Sequence, residues 1–228
     1  MIRLFASVLM ALVLVVFSPG QSRAQVAPSE AELAKYTGLH AAAAQGDVAL
    51  IKQLLAAGAN VNATDPYGRT PMHVAAYQSN DVAVLALAEA GGDPNLLERD
   101  RYDIITIAAV ADDAEMVATA VKAGGSATNI TSIYDGTALI AAAHEGNWES
   151  IDVLIKAGAP LDHVNNLGWT AMIEAVVLGD GGERHQKSLR LLIDAGADKS
   201  IADRNGNTPL DLARGRGYEA MVRMLEKG

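Results

Sequence analysis

Short alanine-rich segments and longer apolar segments alternate along the chain from residue 37 onward, with turns rich in Gly, Asn and Asp between them. In the longer segments, apolar residues recur at the spacing of one helix face, as at Ile51, Leu54 and Leu55. In the short segments, small alanine side chains allow a helix to lie close to its neighbours. The pattern therefore predicts a series of helix pairs, each with a short inner helix and a longer outer helix.

One six-residue phrase recurs at the start of each short segment, for example as Thr70-Pro-Met-His-Val-Ala. Its six copies start 33, 33, 34, 33 and 38 residues apart, at Thr37, Thr70, Asp103, Thr137, Thr170 and Thr208. A glycine at the end of the longer segment keeps the same register, at Gly58, Gly91, Gly124, Gly158 and Gly196. Because two separate landmarks stay in step, the sequence predicts a repeat protein whose copies pack mainly against their neighbours.

Several positions of the phrase have predicted structural roles. A threonine hydroxyl at the first position can cap a helix, and Pro71 and Pro209 suit the first helical position. The glycine that ends the longer segment can take the left-handed conformation that closes a helix. The third copy begins with Asp103 and lacks the usual Thr, Pro and His, so we expect a weaker helix cap there.

The phrase, the period and the ending Gly58-Ala-Asn-Val-Asn62 together resemble the ankyrin-repeat family over essentially all of residues 25–228. The resemblance implies an all-α repeat solenoid of stacked helix pairs with projecting β-hairpin-like loops. About six copies including caps are expected: an N-terminal capping segment at 25–36, then 37–69, 70–102, 103–136, 137–169, 170–207 with a loop insertion, and a C-terminal cap at 208–228. Ser29-Glu-Ala-Glu32 is a predicted capping box that opens a short helix before the first copy.

Residues 1–24 are predicted to be a secretory signal peptide. Arg3 precedes an apolar run from Leu4 to Phe17, and a Pro-Gly pair and small residues follow where a cleavage site is expected. An uncleaved membrane anchor is the alternative, although a bilayer span needs about 20 apolar residues and this run is shorter. We therefore expect an exported protein, periplasmic or secreted, with no membrane attachment after cleavage.

Charge and cysteine content exclude several classes of function. The formal net charge of −9 falls to −11 once Arg3 and Arg23 of the predicted leader are removed. Such an acidic surface repels phosphate backbones, so nucleic acid is not an expected partner. The sequence contains no cysteine, which rules out disulfides and thiolate zinc sites. We expect a monomer without cofactors that is held together by packing alone.

A partner protein is the expected ligand. By the family resemblance, binding uses the hairpin tips and the exposed face of the inner helices. Five of the eight aromatic residues after position 25 map to these places, and aromatic side chains are favoured anchors of protein interfaces. With neighbouring polar residues, the candidate contact residues are Tyr67, Arg69, Tyr77, Gln78, Arg99, Tyr102, Tyr134, His144 and Trp169. In the alternative interpretation, each aromatic side chain packs its own hairpin against the next.

The hypothesis of a contact surface in the second to fifth copies makes a prediction about stability. Changing Tyr102 and Trp169 to alanine should abolish partner capture and leave the thermal melt within a few degrees. Two related functions remain open: an escort of one exported enzyme, and an inhibitor that binds a basic toxin through its acidic face.

Nothing in the sequence indicates an enzyme. By resemblance, His40 and His73 are structural, because in this family they bond the helix-start hydroxyl and the neighbouring loop. The fifth copy carries an insertion in the segment 179–187, where Asp180, Glu183 and His185 leave a remote alternative of a divalent-metal site. No known metal-ligand spacing matches, so a lengthened surface loop is favoured and no metal is predicted. The flanks of this loop resemble bacterial ankyrin proteins, which predicts a bacterial source.

Overall fold

The computed structural model describes residues 26–227, so the predicted leader at 1–24 lies outside the described residues. The described part of the chain contains thirteen helices and no β-strand. The helices are α1 Glu30–Leu33, α2 Gly38–Gln45, α3 Val48–Ala56, α4 Pro71–Tyr77, α5 Asp81–Glu89, α6 Ile104–Val110, α7 Ala114–Lys122, α8 Ala138–Glu145, α9 Trp148–Lys156, α10 Ala171–Val177, α11 Glu183–Asp194, α12 Pro209–Gly215 and α13 Glu219–Lys227. The prediction of an all-α repeat solenoid is confirmed.

The helices form two rows. The inner helices α2, α4, α6, α8, α10 and α12 each contact the next inner helix. The outer helices α3, α5, α7, α9, α11 and α13 form the second row in the same way. The inner helix α6 buries six of its seven residues, because it packs against neighbours on three sides. The outer helix α9 buries only Ser150, Ile151 and Leu154. Short alanine-rich segments therefore occupy the centre of the stack, and amphipathic segments cover one side of it.

Helix caps follow the predicted register, with two differences. The hydroxyl groups of Thr70, Thr137, Thr170 and Thr208 accept a hydrogen bond from the third residue of their helix. The first copy departs from the pattern, because Thr37 makes no side-chain cap bond. In the third copy, Asp103 accepts from the backbone N–H of Thr106 at 2.8 Å, so our expectation of a weaker cap there is wrong. Aspartate is one of the best residues at this position.

The turn between the helices of a pair requires a left-handed residue. Gly46 and Gly146 supply it with φ of 67° and 71°. Two copies lack this glycine, and there Ser79 and Asp112 adopt φ of 52° and 61°. Side chains disfavour this region, so the surrounding helix packing determines the backbone path even where the sequence does not favour it.

Side chains near the end of each copy connect it to the next copy. Asn62 Oδ1 accepts from the N–H of Asp93 at 3.0 Å, and Asn95 Oδ1 accepts from the N–H of Ser126 at 2.8 Å. Two copies after Asn95, Asp162 Oδ1 accepts from the N–H of Asp198 at 2.8 Å. Each acceptor stands four residues after a landmark glycine, so the repeated ending of the sequence holds successive loops in register.

His73 is buried at the start of α4, where both of its ring nitrogens are bonded. The backbone N–H of Thr70 donates to Nδ1 at 3.1 Å, and Nε2 lies 3.2 Å from the carbonyl oxygen of Tyr102. A neutral ring protonated on Nε2 satisfies both contacts. His40 repeats the second contact, with Nε2 2.9 Å from the carbonyl oxygen of Arg69. These contacts agree with a structural role for both histidines.

Burial of His73 should make the protein less stable in mild acid. Burial lowers the pKa of His73 to about 4. As the pH falls from about 6.5 to about 4, the unfolded chain therefore binds a proton at this residue and the folded chain does not. The free energy of unfolding should decrease by up to about 3 kcal/mol across this window from this residue alone. Urea denaturation at several pH values measures the slope.

Two variants isolate the contribution of this ring. His73→Gln removes the titrating group, and its pH slope should be flatter than that of the unchanged protein. His163→Gln is the control variant. It removes a half-buried imidazole at another hairpin, where Nε2 lies 2.6 Å from the carbonyl oxygen of Asp135. Equal slopes for His73→Gln and the unchanged protein would contradict the prediction.

Candidate functional site

Five hairpins project beside the inner helices, at 65–69, 98–102, 131–136, 165–169 and 203–207. We call the surface formed by the first four hairpins and by α4, α6, α8 and α10 the hairpin face. A side-chain acceptor opens most of the hairpins. Asp65 Oδ1 accepts from the N–H groups of Tyr67 and Arg69 at 2.8 Å each, and Asn165 Oδ1 repeats this at 3.0 Å. The hairpin shape is therefore fixed within each copy.

Single backbone hydrogen bonds join each hairpin tip to the next. The N–H of Arg99 donates to the carbonyl oxygen of Tyr67 at 2.9 Å, and that of Ser132 donates to Arg101 at 2.8 Å. The N–H of Asn166 donates to Tyr134 at 2.9 Å. Because these bonds join consecutive copies, four tips lie in one fixed row.

Exposed apolar side chains stand along this row. Ile133 is 63% exposed, and Tyr134, Leu167 and Tyr67 are each about 40% exposed. Ile133 and Leu167 are missing from the sequence-based candidates, which were chosen mainly among aromatic and polar residues. The sequence nevertheless marks both residues as candidate contact residues, because they are branched aliphatic residues in turn positions that normally carry polar residues.

A narrow crevice opens on the hairpin face between hairpin 131–136 and the helices α6, α8 and α10. Its volume is about 60 Å³. The side chains that line it include Tyr102, Val110, Tyr134, Ile140, His144 and Glu174. Tyrosine, valine, isoleucine and alanine side chains form its apolar surface, and threonine, serine, Asn165 and Glu145 add polar groups. The second to fifth copies all contribute.

A buried carboxylate lies at the base of this crevice. Glu174 is only 3% exposed, and its Oε1 accepts from the side-chain amide of Asn165 at 2.9 Å. Its other oxygen, Oε2, accepts no hydrogen bond in the described part of the chain. His144 Nδ1 lies 3.4 Å from Oε2, which is long for a hydrogen bond. The Glu174 carboxylate raises the pKa of His144, because it stabilises the charged ring.

Sequence reasoning placed His144 on this face but did not select Glu174 as a candidate. A signal was present. Glu174 stands at the fifth position of the repeated phrase, where the other copies have the apolar residues Ala41, Val74, Ile107, Ala141 and Leu212. A single charged residue at a position that is otherwise apolar is informative, because a buried charge is costly unless it is paired.

Comparison with known proteins agrees with this architecture. The family model Ankyrin repeats (3 copies) matches residues 14–98 and 105–203. The chain belongs to the ankyrin repeat family. It is 32% identical to the ankyrin repeat protein YahD of Escherichia coli strain K12, over 81% of this chain and 92% of that protein. Ankyrin repeats generally mediate protein–protein interaction and are typically non-enzymatic.

Two solved ankyrin structures are similar to it. An ankyrin repeat domain from Acinetobacter baumannii AYE is 39% identical, with a TM-score of 0.77, and the match covers 82% of this chain and 95% of that one. A chain in the complex of Bd0816 predatory endopeptidase from Bdellovibrio bacteriovorus with immunity protein Bd3460 is 26% identical, with a TM-score of 0.70. That match covers 84% of this chain and 98% of the other.

Two of the nine candidate contact residues of this ankyrin repeat protein are buried, which corrects their assignment to an accessible surface. Arg69 is 1% exposed because the N-terminal capping segment covers it. Its Nη2 donates to the carbonyl oxygen of Val26 at 2.7 Å. Tyr102 is 4% exposed and belongs to the hydrophobic core. Both side chains stabilise the fold from positions beneath the hairpin face.

The other seven candidates remain at least partly accessible, and they lie along the hairpin face rather than in one cluster. Three are exposed, and four are half-buried. In chain order they are Tyr67, Tyr77, Gln78, Arg99, Tyr134, His144 and Trp169. The guanidinium group of Arg99 lies over the ring of Tyr67, 4.9 Å from its centroid, which orients an exposed aromatic side chain at the first tip.

The insertion in the fifth ankyrin copy lengthens an outer helix. Helix α11 has 12 residues, whereas α9 has nine. Arg184 donates to Asp112 at 2.8 Å and to the side-chain oxygen of Asn147 at 2.7 Å. His185 Nε2 lies 3.1 Å from the carbonyl oxygen of His144. The inserted residues therefore contact the third and fourth copies.

No group of three or more His, Cys, Asp or Glu side chains between residues 26 and 227 is arranged to hold a metal ion. In the insertion, His185 Nδ1 lies 3.7 Å from Asp180 Oδ1, and Glu183 instead pairs with Lys187 at 2.9 Å. None of the helices in that same range is long and apolar enough to span a bilayer.

Proposed function

We propose that this ankyrin repeat protein is an exported, non-enzymatic module that binds a partner protein on its hairpin face. One observation carries the proposal: apolar side chains stand exposed along a row of hairpin tips that backbone hydrogen bonds hold together. Isolated exposed apolar residues are common on protein surfaces, but an ordered row of them is typical of an interaction site.

The row is suited to binding because it is already ordered. Most of the hairpins are closed by an acceptor of their own, and each tip is bonded to the next, so little conformational entropy remains to be lost on association. Tyr134 and Trp169 provide large side chains with few rotatable bonds, which is the chemistry of interface anchors. The exposed Arg99 and Glu145 provide polar groups at the margin.

Export is the part of the proposal that depends on residues 1–24. Their pattern of one basic residue, an apolar run and small residues before position 25 is typical of a cleaved signal peptide. The absence of cysteine means that the rest of the protein needs no particular redox environment to fold. A periplasmic or secreted location follows from this pattern.

An inhibitor of an exported enzyme or toxin is the second candidate function. It is favoured by the similarity to a chain in the complex of a predatory endopeptidase with its immunity protein. The net charge of −9 suits a basic partner, because opposite charges accelerate and orient encounter. In this version of the proposal, the hairpin face covers the partner's active site and performs no chemistry of its own.

Loss of the tip side chains should abolish partner capture without unfolding the protein. We expect the double variant Ile133→Ser, Tyr134→Ser to bind its partner at least about tenfold more weakly, because both side chains are exposed anchors. The thermal melt should shift by only a few degrees. The measurement is affinity capture from an envelope extract of the source organism, followed by titration of the captured protein.

Val82→Ser is the matched control, because Val82 is 61% exposed on α5 and lies outside the hairpin face. Its capture should equal that of the unchanged protein. Equal capture by the tip variant, or equal loss in both variants, would show that the hairpin face is not the binding surface.

A further inference from the structure

We propose that the crevice at Glu174 is a binding pocket for one lysine side chain of the partner protein. This assignment rests on the proposed function, and it names the residue type that the hairpin face selects. The width of the crevice, the apolar part of its walls and its charge all favour this residue type.

The crevice is narrow. Its volume of about 60 Å³ is less than half of the roughly 150 Å³ of an engineered cavity that holds benzene. An aromatic side chain therefore does not fit, and the flat, wide guanidinium group of arginine fits poorly. A whole lysine stem is about as bulky as such a ring, so the crevice takes only the end of it, the ammonium group and the methylene groups next to it. An unbranched chain can enter in this way because its end is compact.

The walls match the stem of a lysine side chain. Val110 and Ile140 supply aliphatic surface, and the rings of Tyr102 and Tyr134 add to it, whereas threonine and serine side chains form the remaining wall. Lysine commonly buries its methylene groups along apolar surface while its charged end reaches a polar partner. The same walls would also accept an uncharged aliphatic chain, so the charge at the base decides between the two.

The base of the crevice attracts a cation that can donate hydrogen bonds. Glu174 Oε2 is buried without a hydrogen bond, and an ammonium group carries three donors. Glu145, which also lines the crevice, is exposed and adds a second carboxylate. Among residues 26–227, no lysine or arginine lines the crevice, and His144 is the one basic side chain there. The His144 ring, 3.4 Å away, is too distant for a good hydrogen bond to Oε2, so a donor that approaches this oxygen more closely gains affinity.

The imidazole of His144 lies beside this oxygen, and the incoming ammonium takes its place. The His144 side chain is 32% exposed, so it has room to rotate toward solvent. Glu174 remains fixed by the amide of Asn165 during this change, because that bond uses the other carboxylate oxygen. The pocket therefore needs only one side chain to move.

A titration with a small lysine analogue tests the pocket without knowledge of the partner. The probe is N-acetyl-lysine methylamide, added to isotope-labelled protein at about pH 8, more than one unit above the ordinary histidine pKa, and followed by NMR. We expect millimolar binding that shifts the backbone resonances of Glu174 and Ile140 and the ring resonances of His144. The norleucine analogue has the same stem without the charge and should cause no comparable shift.

Three variants sharpen the result. Glu174→Gln keeps the shape and the bond to Asn165, and it should weaken probe binding at least about tenfold. His144→Ala removes the ring that covers Oε2, and it should bind the probe at least as well as the unchanged protein. Glu149→Gln changes an exposed carboxylate on α9 and should have no effect. Thermal melts of all three confirm that the fold is retained.

The pocket assignment fails if the norleucine analogue binds equally well, if an arginine analogue binds more tightly, or if Glu174→Gln binds the lysine probe unchanged. Its failure is distinct from failure of the proposed function. If the probe does not bind but the tip variant still loses capture, the hairpin face binds a partner through other contacts. If the probe binds but the tip variant keeps full capture, the proposed binding row is wrong and the pocket remains.

Discussion

Replacing Arg69 with alanine should destabilise the protein by about 4 kcal/mol, because it removes one partner from a buried charge network. Its guanidinium group lies 3.5 Å from Glu32 and 3.6 Å from Asp65. It also donates to the carbonyl oxygen of Val26 and lies over the ring of Tyr67, 4.5 Å from the centroid. Alanine would leave two carboxylates without their cation and a cavity beneath the capping segment.

The loss should begin at the N-terminal end of the stack. In a repeat protein each copy is stabilised mainly by its neighbours, so a weakened contact between the capping segment and the end of the first copy frees these N-terminal elements to unfold separately. Urea denaturation gives the free energy of unfolding, and hydrogen exchange shows which helices lose protection. We expect faster exchange in α1 to α3 and little change in α8 to α13.

Arg99→Ala is the matched control. Both arginines lie over the ring of Tyr67, but Arg99 is exposed and forms no buried ion pair with any residue between 26 and 227. Its replacement should cost less than about 1 kcal/mol, since exposed charged contacts contribute little. A similar small loss for Arg69→Ala would contradict the structural role of the buried network.

Tyr102→Ala should cost about 4 kcal/mol, in the range measured when a large buried aromatic side chain is truncated. The ring is 4% exposed and packs within the continuous core of the stack. The expectation from sequence, that this change leaves the thermal melt nearly unaltered, therefore does not hold. The measurement is chemical denaturation, with the thermal melt as a second readout.

Two further variants separate burial from interface effects. Tyr102→Phe keeps the ring, so it should retain most of the stability. Trp169→Ala removes a side chain that is only half-buried and should cost about 1–2 kcal/mol. If Tyr102→Ala and Trp169→Ala cost equally little, the packing described for Tyr102 is wrong.

The sequence predicted the repeat and most of its local structure. A period of 33 or 34 residues, threonine at helix starts and glycine at helix ends are short-range signals, and each is repeated several times. The 34-residue step corresponds to hairpin 131–136, which has one residue more than its neighbours. Such features are readable because a repeat imposes the same local requirement on every copy.

The candidate site was predictable only in part. The sequence located the hairpin face and the exposed Tyr67, Arg99 and Tyr134, since position within the repeat gives the side of the stack. It did not distinguish exposed from buried residues at that face. Arg69 and Tyr102 occupy the same position in consecutive copies, immediately before the repeated phrase, where Trp169 is half-buried. Identical register therefore does not imply identical exposure.

The sequence by itself determined the family, the helix pairs, their order and the side of the stack from which the hairpins project. The tertiary structure alone decided that the N-terminal capping segment covers Arg69, that Tyr102 belongs to the core, and that the His144 side chain lies beside a buried Glu174. The physical reason is the distance along the chain at which each property is set. Caps and turns depend on residues within one copy, whereas burial and charge pairing depend on non-identical side chains that neighbouring copies bring from about 30 residues away.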